Sequence, residues 1–331
     1  MRAVLVLAVA GLAVSACADS GSNLTADRIN PVVPLLEHDL AVLGVMHPAY
    51  VARAPRRAPG AEAAATEEVV QPDLNEAARE LVAYELGDYV LNNYSPQTAD
   101  RYRGFMEAIV EAGGSARAYP FMAKIPIVHD DPAGSTRALI DQLNDGQMIV
   151  AMQEVETAEE IDQAVAAMRF PSQGGVRPET GFERAAAYWG VSGEDYLEKA
   201  DVWPLNPDGE LLITAIVESE AGVANVREIA AHPAIPIVTV GAGTLGWVMS
   251  SVDENGERVR DPEAFDAAVA QILAACREFE KSCGYPANTP AEVEALMEDG
   301  WDFFIMQRRN QDAFDAVITG RQLSGRSGEG T

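Results

Sequence analysis

Two places in this chain put reactive groups at the ends of short apolar runs. The run at 211–217 is followed directly by Glu218, and the run at 236–240 by Gly241-Ala242-Gly243-Thr244. Short β-branched runs joined by an amphipathic segment read as neighbouring strands of a parallel sheet. Ligands bind at the carboxyl ends of such strands, so Glu218 stands where a barrel enzyme keeps a metal ligand or a base. The glycine turn offers backbone N–H groups and the Thr244 hydroxyl, which suit a substrate carboxylate or phosphate. Glycine there equally suits a tight turn, and the turn supplies no second carboxylate.

Other candidates lie at comparable positions. Lys124 ends a run that starts near Phe121, where it could polarise a substrate oxygen or simply pair with a nearby carboxylate. His129 follows in the next loop and could titrate near neutrality or ligate a metal; the plainer reading is a hydrogen bond to Asp130 or Asp131. Gln153-Glu154 follows the run at 148–152. Tyr94, Trp203 and Trp247 could line a pocket, though each alone fits packing or a rim. Ser219 has no evident His/Asp partner, and no Cys/His cluster has zinc spacing.

The elements that must position these residues alternate regularly. Strand-like runs start near 40, 89, 121, 148, 211, 236, 284 and 303, with segments of helical period between them. Eight such units over about 280 residues match a closed (β/α)8 TIM barrel, an α/β fold. An open doubly wound sheet is the competing architecture, but no G-x-G-x-x-G follows the first strand. The barrel is predicted over 35–320. Residues 52–71, rich in Ala, Pro and charge, read as an insertion, and the tail 321–331 as disordered.

The balance of 24 Lys+Arg against 51 Asp+Glu gives a net charge of −27 in 331 residues. That charge repels nucleic acid and anionic head groups, so no nucleic-acid partner is expected. Residues 1–16 have one Arg2, an apolar run and small residues before Cys17, the plan of a secretory signal. Val14-Ser15-Ala16-Cys17 resembles a bacterial lipobox, which implies cleavage before Cys17, acylation of its thiol and a tether over 17–34. A non-lipidated signal with an incidental cysteine is the alternative. Lipidation would place the protein at the bacterial cell envelope, on the periplasmic face, with its membrane contact through the N-terminal lipid. It would also leave Cys276 and Cys283, which can bridge only if their helix ends near Glu280 and turns back. Both outcomes stay open.

The segments MRFPSQGGVRPETGFERAAAYWG, EDYLEKAD, ITAIVESEAGVANVREI and VTVGAGTLG, in that order, resemble the HpcH/HpaI aldolase/citrate lyase family. The similarity is to its metal-dependent aldolases, which cleave 2-oxo-4-hydroxy acids to pyruvate or a related oxo acid. The resemblance implies the same barrel, a divalent metal (Mg or Mn), a small oxo acid as substrate and a homo-oligomeric ring. One metal carboxylate of the family matches Glu218, while Thr244 stands in place of the other, and a hydroxyl is a poor substitute. A family glutamine corresponds to Ile216, the polarising arginine to Lys124, and the acid–histidine pair to Asn93-Tyr94. Arg177 matches the family's Arg-Gly loop and inherits its catalytic assignment, although Pro178 follows it here.

Glu154 falls where the family has an uncharged residue. It could replace the missing aspartate in a cluster with His129 and Glu218, or be a solvated glutamate favouring the start of the next helix. Two functions therefore stand: an exported lyase of small oxo acids with a rearranged metal site, or a tethered barrel without that chemistry that binds a small acid or a protein partner.

Overall fold

Eight strands pair side by side, all parallel, and close on themselves in the order β1-β10-β9-β6-β5-β4-β3-β2. They are β1 (Val42–Met46), β2 (Tyr89–Asn92), β3 (Phe121–Ile125), β4 (Ile149–Met152) and β5 (Leu212–Val217). The circle is completed by β6 (Ile237–Val240), β9 (Ser282–Pro286) and β10 (Phe303–Met306). The computed structural model of the chain describes residues 28–46, 72–92, 94, 98–256 and 258–328. The expected signal segment with Cys17, the insertion at 52–71 and Asn93 lie outside the described residues.

Helices clothe the barrel. The first are α1 (Val32–Glu37), α2 (Leu74–Ala83), α3 (Ala99–Glu111), α4 (Pro132–Asn144) and α5 (Ala158–Met168). Between β4 and β5 lie α6 (Glu183–Trp189) and α7 (Gly193–Lys199), and between β5 and β6 lie α8 (Glu220–Ala224) and α9 (Val226–Ala231). Then follow α10 (Ala242–Val248), α11 (Pro262–Glu278), α12 (Pro290–Glu298) and α13 (Gln311–Leu323). Asp73, Asp131, Thr157, Ser219, Asp261, Thr289 and Asn310 each cap a helix start by accepting a backbone N–H. Each such cap contributes about 1 kcal/mol. Pro132, Pro262 and Pro290 follow their caps, where the missing N–H costs nothing.

The sequence reading differs from this architecture in four places. The single helix expected between β5 and β6 is two, divided at Asn225, whose side chain donates to the Glu156 carbonyl. Residues beyond Gly241 form α10 and then an antiparallel hairpin, β7 (Ser250–Val252) with β8 (Arg258–Arg260). The tether ends earlier than residue 34: Ile29 and Asn30 are buried, and their N–H groups donate to the Glu210 carboxylate at 3.1 and 2.9 Å. The tail, expected to be disordered from 321, continues α13 to Leu323. Arg326 is buried against Asp88 at 2.8 and 2.9 Å and the Ala41 carbonyl at 2.6 Å.

A disulfide settles the open cysteine question and identifies the two faces of the sheet. Helix α11 stops at Glu278, Glu280 takes a positive φ of 52°, and Lys281 N donates back to the Cys276 carbonyl. The turn brings Cys276 to Cys283 with α-carbons 5.8 Å apart, and the two are bridged. Cys283 therefore faces the helices, as does its register partner Val238. Alternation along the strands puts Thr239 and Gly284 on the inner face. Thr239 Oγ1 lies 2.8 Å from Thr214 Oγ1, and register carries the inner face from Thr214 to Ala151 and Lys124. Lower in the lumen the filling is apolar. The Tyr89 ring stacks on Phe303 and occupies the space left by Gly44, where any Cβ would run into it.

Candidate functional site

Inner-face positions at the carboxyl ends of the strands hold the polar groups. Lys124 on β3, Gln153 just past β4, and Glu218 just past β5 all continue the inner register. Glu218 is 5% exposed, and among the described residues no hydrogen bond or ion pair engages its carboxylate. Gly241, just past β6, lies under it, and a Cβ at Gly241 would collide with the Glu218 side chain. Glycine at 241 is thus what lets the carboxylate sit between the ends of β5 and β6.

Beside it the loop after β4 turns sharply. Glu154 holds a left-handed φ of 50°, a conformation non-glycine residues adopt rarely. Gln153 anchors the turn by donating to the Ile125 carbonyl at 2.6 Å. Glu154 is half-buried rather than solvated, and its pKa is raised, first by burial and then by the charge of Glu218. His129 offsets part of that rise.

His129 does not bond to Asp130 or Asp131, as the plainer sequence reading had it. Its Nδ1 meets Glu160 Oε1 at 3.3 Å, and Asp131 instead caps α4. One ring nitrogen of His129 and one carboxylate oxygen each from Glu154 and Glu156 lie within 4.8 Å of one another. Glu156 is held there by Ser219, whose hydroxyl donates to Oε1 at 2.7 Å. Neither Glu156 nor Glu160 was singled out from the sequence. The signal was present in Glu154-Val155-Glu156, two carboxylates close together directly after an apolar strand.

The glycine turn is the first turn of α10. Gly241 is its N-terminal cap without a side-chain bond, and Ala242, Gly243 and Thr244 follow. Their N–H groups are those a short helix leaves without internal partners. Thr244 is partly exposed and brings no charge to the space beside Glu218.

Arg177 is not at this mouth. It is 0% exposed, stacked on Phe170 and Tyr196, and hydrogen-bonded to Asn144 Oδ1 and the Tyr196 hydroxyl. Asn144 ends α4 and leads into β4, which places Arg177 at the amino end of that strand, away from Glu218. There the cation meets the negative end of a helix and two aromatic faces. Its catalytic assignment is corrected to a packing one. Tyr94 is likewise committed, its hydroxyl donating to Asp145 Oδ2 at 2.8 Å, and Trp247 lies exposed under the Arg258 guanidinium.

Comparison with known proteins agrees with this architecture. The family model of the HpcH/HpaI aldolase/citrate lyase family matches residues 121–300. A hydroxypyruvate/pyruvate aldolase of Chromohalobacter salexigens is 32% identical over 187 residues, 56% of this chain and 66% of that protein. A protein of the same description from Delftia acidovorans is 30% identical over 227 residues, covering 68% of this chain and 74% of its own. The chain thus spans just under two thirds of the first of these relatives and about three quarters of the other. Among solved structures, an HpcH/HpaI aldolase/citrate lyase family protein from Burkholderia cenocepacia superposes with a TM-score of 0.59. It is 23% identical, over 83% of this chain and 91% of the other, a likeness of fold.

Proposed function

Since this chain belongs to the HpcH/HpaI aldolase/citrate lyase family, we propose that it is a carbon–carbon lyase of small 2-oxo acids whose cation site uses Glu154 where the family uses the position of Thr244. The observation that carries the reading is Glu218, a carboxylate 5% exposed that makes no hydrogen bond or ion pair among the described residues. Leaving a buried charge in that state is costly. The pKa of Glu154 is raised, first by burial and then by the charge of Glu218. Two uncompensated carboxylates at adjacent strand tips fit a hard dication, which gains affinity from ligand charge.

Glu218 and Glu154 would hold the ion. A bound Mg²⁺ or Mn²⁺ supplies polarisation of the substrate oxo group and stabilises the negative charge that develops as the carbon–carbon bond breaks. Lys124, on the same inner face, adds a fixed positive charge toward the mouth, although an ammonium lacks the planar fork of arginine. The N–H groups of Ala242 and Gly243, in the first turn of α10, would be available to a carboxylate end of the substrate. The apolar lumen beneath, closed by Tyr89 and Phe303, keeps water from entering below.

Loss of the family's chemistry is the second reading, and Thr244 together with the engaged Tyr94 favours it. A panel of 2-oxo-4-hydroxy acids incubated with the purified chain and Mg²⁺ or Mn²⁺ separates the two. Release of pyruvate or another oxo acid that Glu218→Gln abolishes supports the lyase. Ligand-induced thermal stabilisation without turnover supports a binding barrel. Neither would sink both. Export and acylation at Cys17 are proposed on the sequence plan alone, and test by acyl mass on detergent-extracted protein.

A further inference from the structure

We propose that the loops after β3 and β4 form a mixed nitrogen–oxygen cation site, with His129, Glu154 and Glu156 as ligands facing Glu218, and that it selects a transition metal over Mg²⁺. The inference deepens the proposed reading and takes from it only that a dication occupies this mouth.

Three donor atoms within 4.8 Å of one another are close to sharing one ion. Such a triangle has a centre no more than about 2.8 Å from each atom, against ligand bonds of about 2.0–2.4 Å. The three therefore need shift only slightly. Each is also held from behind. Ser219 fixes one oxygen of Glu156 and leaves the other, and the Glu156 carbonyl is tied to Asn225. The left-handed turn at Glu154 aims its carboxylate back toward the His129 loop. Glu160, itself 7% exposed, takes His129 Nδ1 and leaves Nε2 for the ion. A carboxylate behind a histidine in this way fixes its tautomer and ring orientation, as in many metal proteins.

An acidic cluster alone would mean little on a surface this negative. The independent observation is Glu218 at the neighbouring strand end, 5% exposed and without a hydrogen bond or ion pair among the described residues, while Val155 N donates to the Ile216 carbonyl at 3.1 Å and so holds the Glu154 turn beside it. The donor set then decides the metal. Imidazole with carboxylates suits Mn²⁺, Fe²⁺, Co²⁺ or Zn²⁺, whereas Mg²⁺ takes oxygen ligands and water. The sequence reading of His129 as a catalytic group is replaced by one in which it is a ligand.

The test is metal binding by the intact chain, with Co²⁺, Zn²⁺ and Mg²⁺ as the probes and thermal unfolding as the fold control. Co²⁺ and Zn²⁺ are expected to bind once per chain and more tightly than Mg²⁺. Glu160→Gln should weaken Co²⁺ binding roughly 10–100-fold. His129→Ala and Glu156→Gln should weaken it at least as much, and His129→Ala should also remove the imidazole nitrogen coupling from the Co²⁺ or Mn²⁺ spectrum. Mg²⁺ affinity should change little in His129→Ala. Cation binding that depends on Glu218 but ignores His129 and Glu156 would overturn this site and leave the proposed function standing. Absence of any cation binding would overturn both.

Discussion

Glu218 is the residue on which the proposed site turns, a carboxylate 5% exposed at the end of β5 and without a hydrogen bond or ion pair among the described residues. Glu218→Gln should leave the metal-free chain about as stable as before while abolishing its metal-dependent stabilisation. Denaturant unfolding with and without Mn²⁺ reads both effects, and destabilisation in both conditions would show that the charge has an unseen partner. Arg177 behaves in the opposite way. Arg177→Ala should cost about 3 kcal/mol through lost stacking and hydrogen bonds. Activity per folded molecule should be unchanged, and a fall in kcat without a fall in stability would restore its catalytic role. The two residues also show what a sequence discloses. A carboxylate directly after an apolar strand is anomalous on its face, so Glu218 was legible. Arg177 was misplaced because a motif gives the order of residues but not the end of the barrel they reach. Glu156 was passed over because a reading by strand tips stops at the tip, and the left-handed turn at Glu154 carries the chain one ligand further.

Elements were legible wherever one period dominated. The eight strands and most helices follow from apolar runs and capped starts. α10 and the β7–β8 hairpin did not, because Gly-rich and charged stretches carry no period to read. The C-terminal element is the clearest case of structure decided by one distant pairing. Arg326 and Arg321 converge on Asp88, which also accepts from Leu43 N at 2.8 Å, so α13 and the residues after it brace the start of β1. Arg326→Ala leaves the buried aspartate its bond from Leu43 N but, for a cation, only the longer Arg321 contact at 3.4 Å. A loss of about 3 kcal/mol is expected by chemical denaturation, and a change within experimental error would refute the brace. The start of β10 adds a pH response. Burial lifts the Asp302 pKa to about 6, against the lowering effect of Ser282 and Cys283, which both donate to it. The folded chain thus binds this proton more tightly than the unfolded chain, whose aspartate titrates near 3.9. Its stabilising contribution is complete below about pH 4 and disappears as pH rises through about 6. Asp302→Asn should flatten that part of the stability profile, and identical profiles for the two chains from pH 4 to 7 would contradict the assignment.

At the scale of the whole molecule, charge and entry point matter more than any contact. A net charge of −27 surrounds the mouth with a potential that concentrates cations and repels polyanions. The chain enters the barrel by a fixed door. Ile29 and Asn30 are pinned to Glu210 at the amino end of β5, and Arg28 is held by the Pro207 carbonyl at 2.7 Å. Glu218 lies eight residues further along the same direction, roughly 26 Å away at strand rise. Arg28 therefore sits at the heel of the barrel, opposite its opening. A Thr244→Cys thiol should react with a small water-soluble maleimide equally fast in membrane-bound chain and in chain released by Cys17→Ser. Severalfold protection on the membrane would mean that the barrel lies on its side. Were Cys17 acylated as proposed, attachment on the side of the heel would leave the opening turned to the aqueous space and the anchorage out of the path of anything that arrives by diffusion.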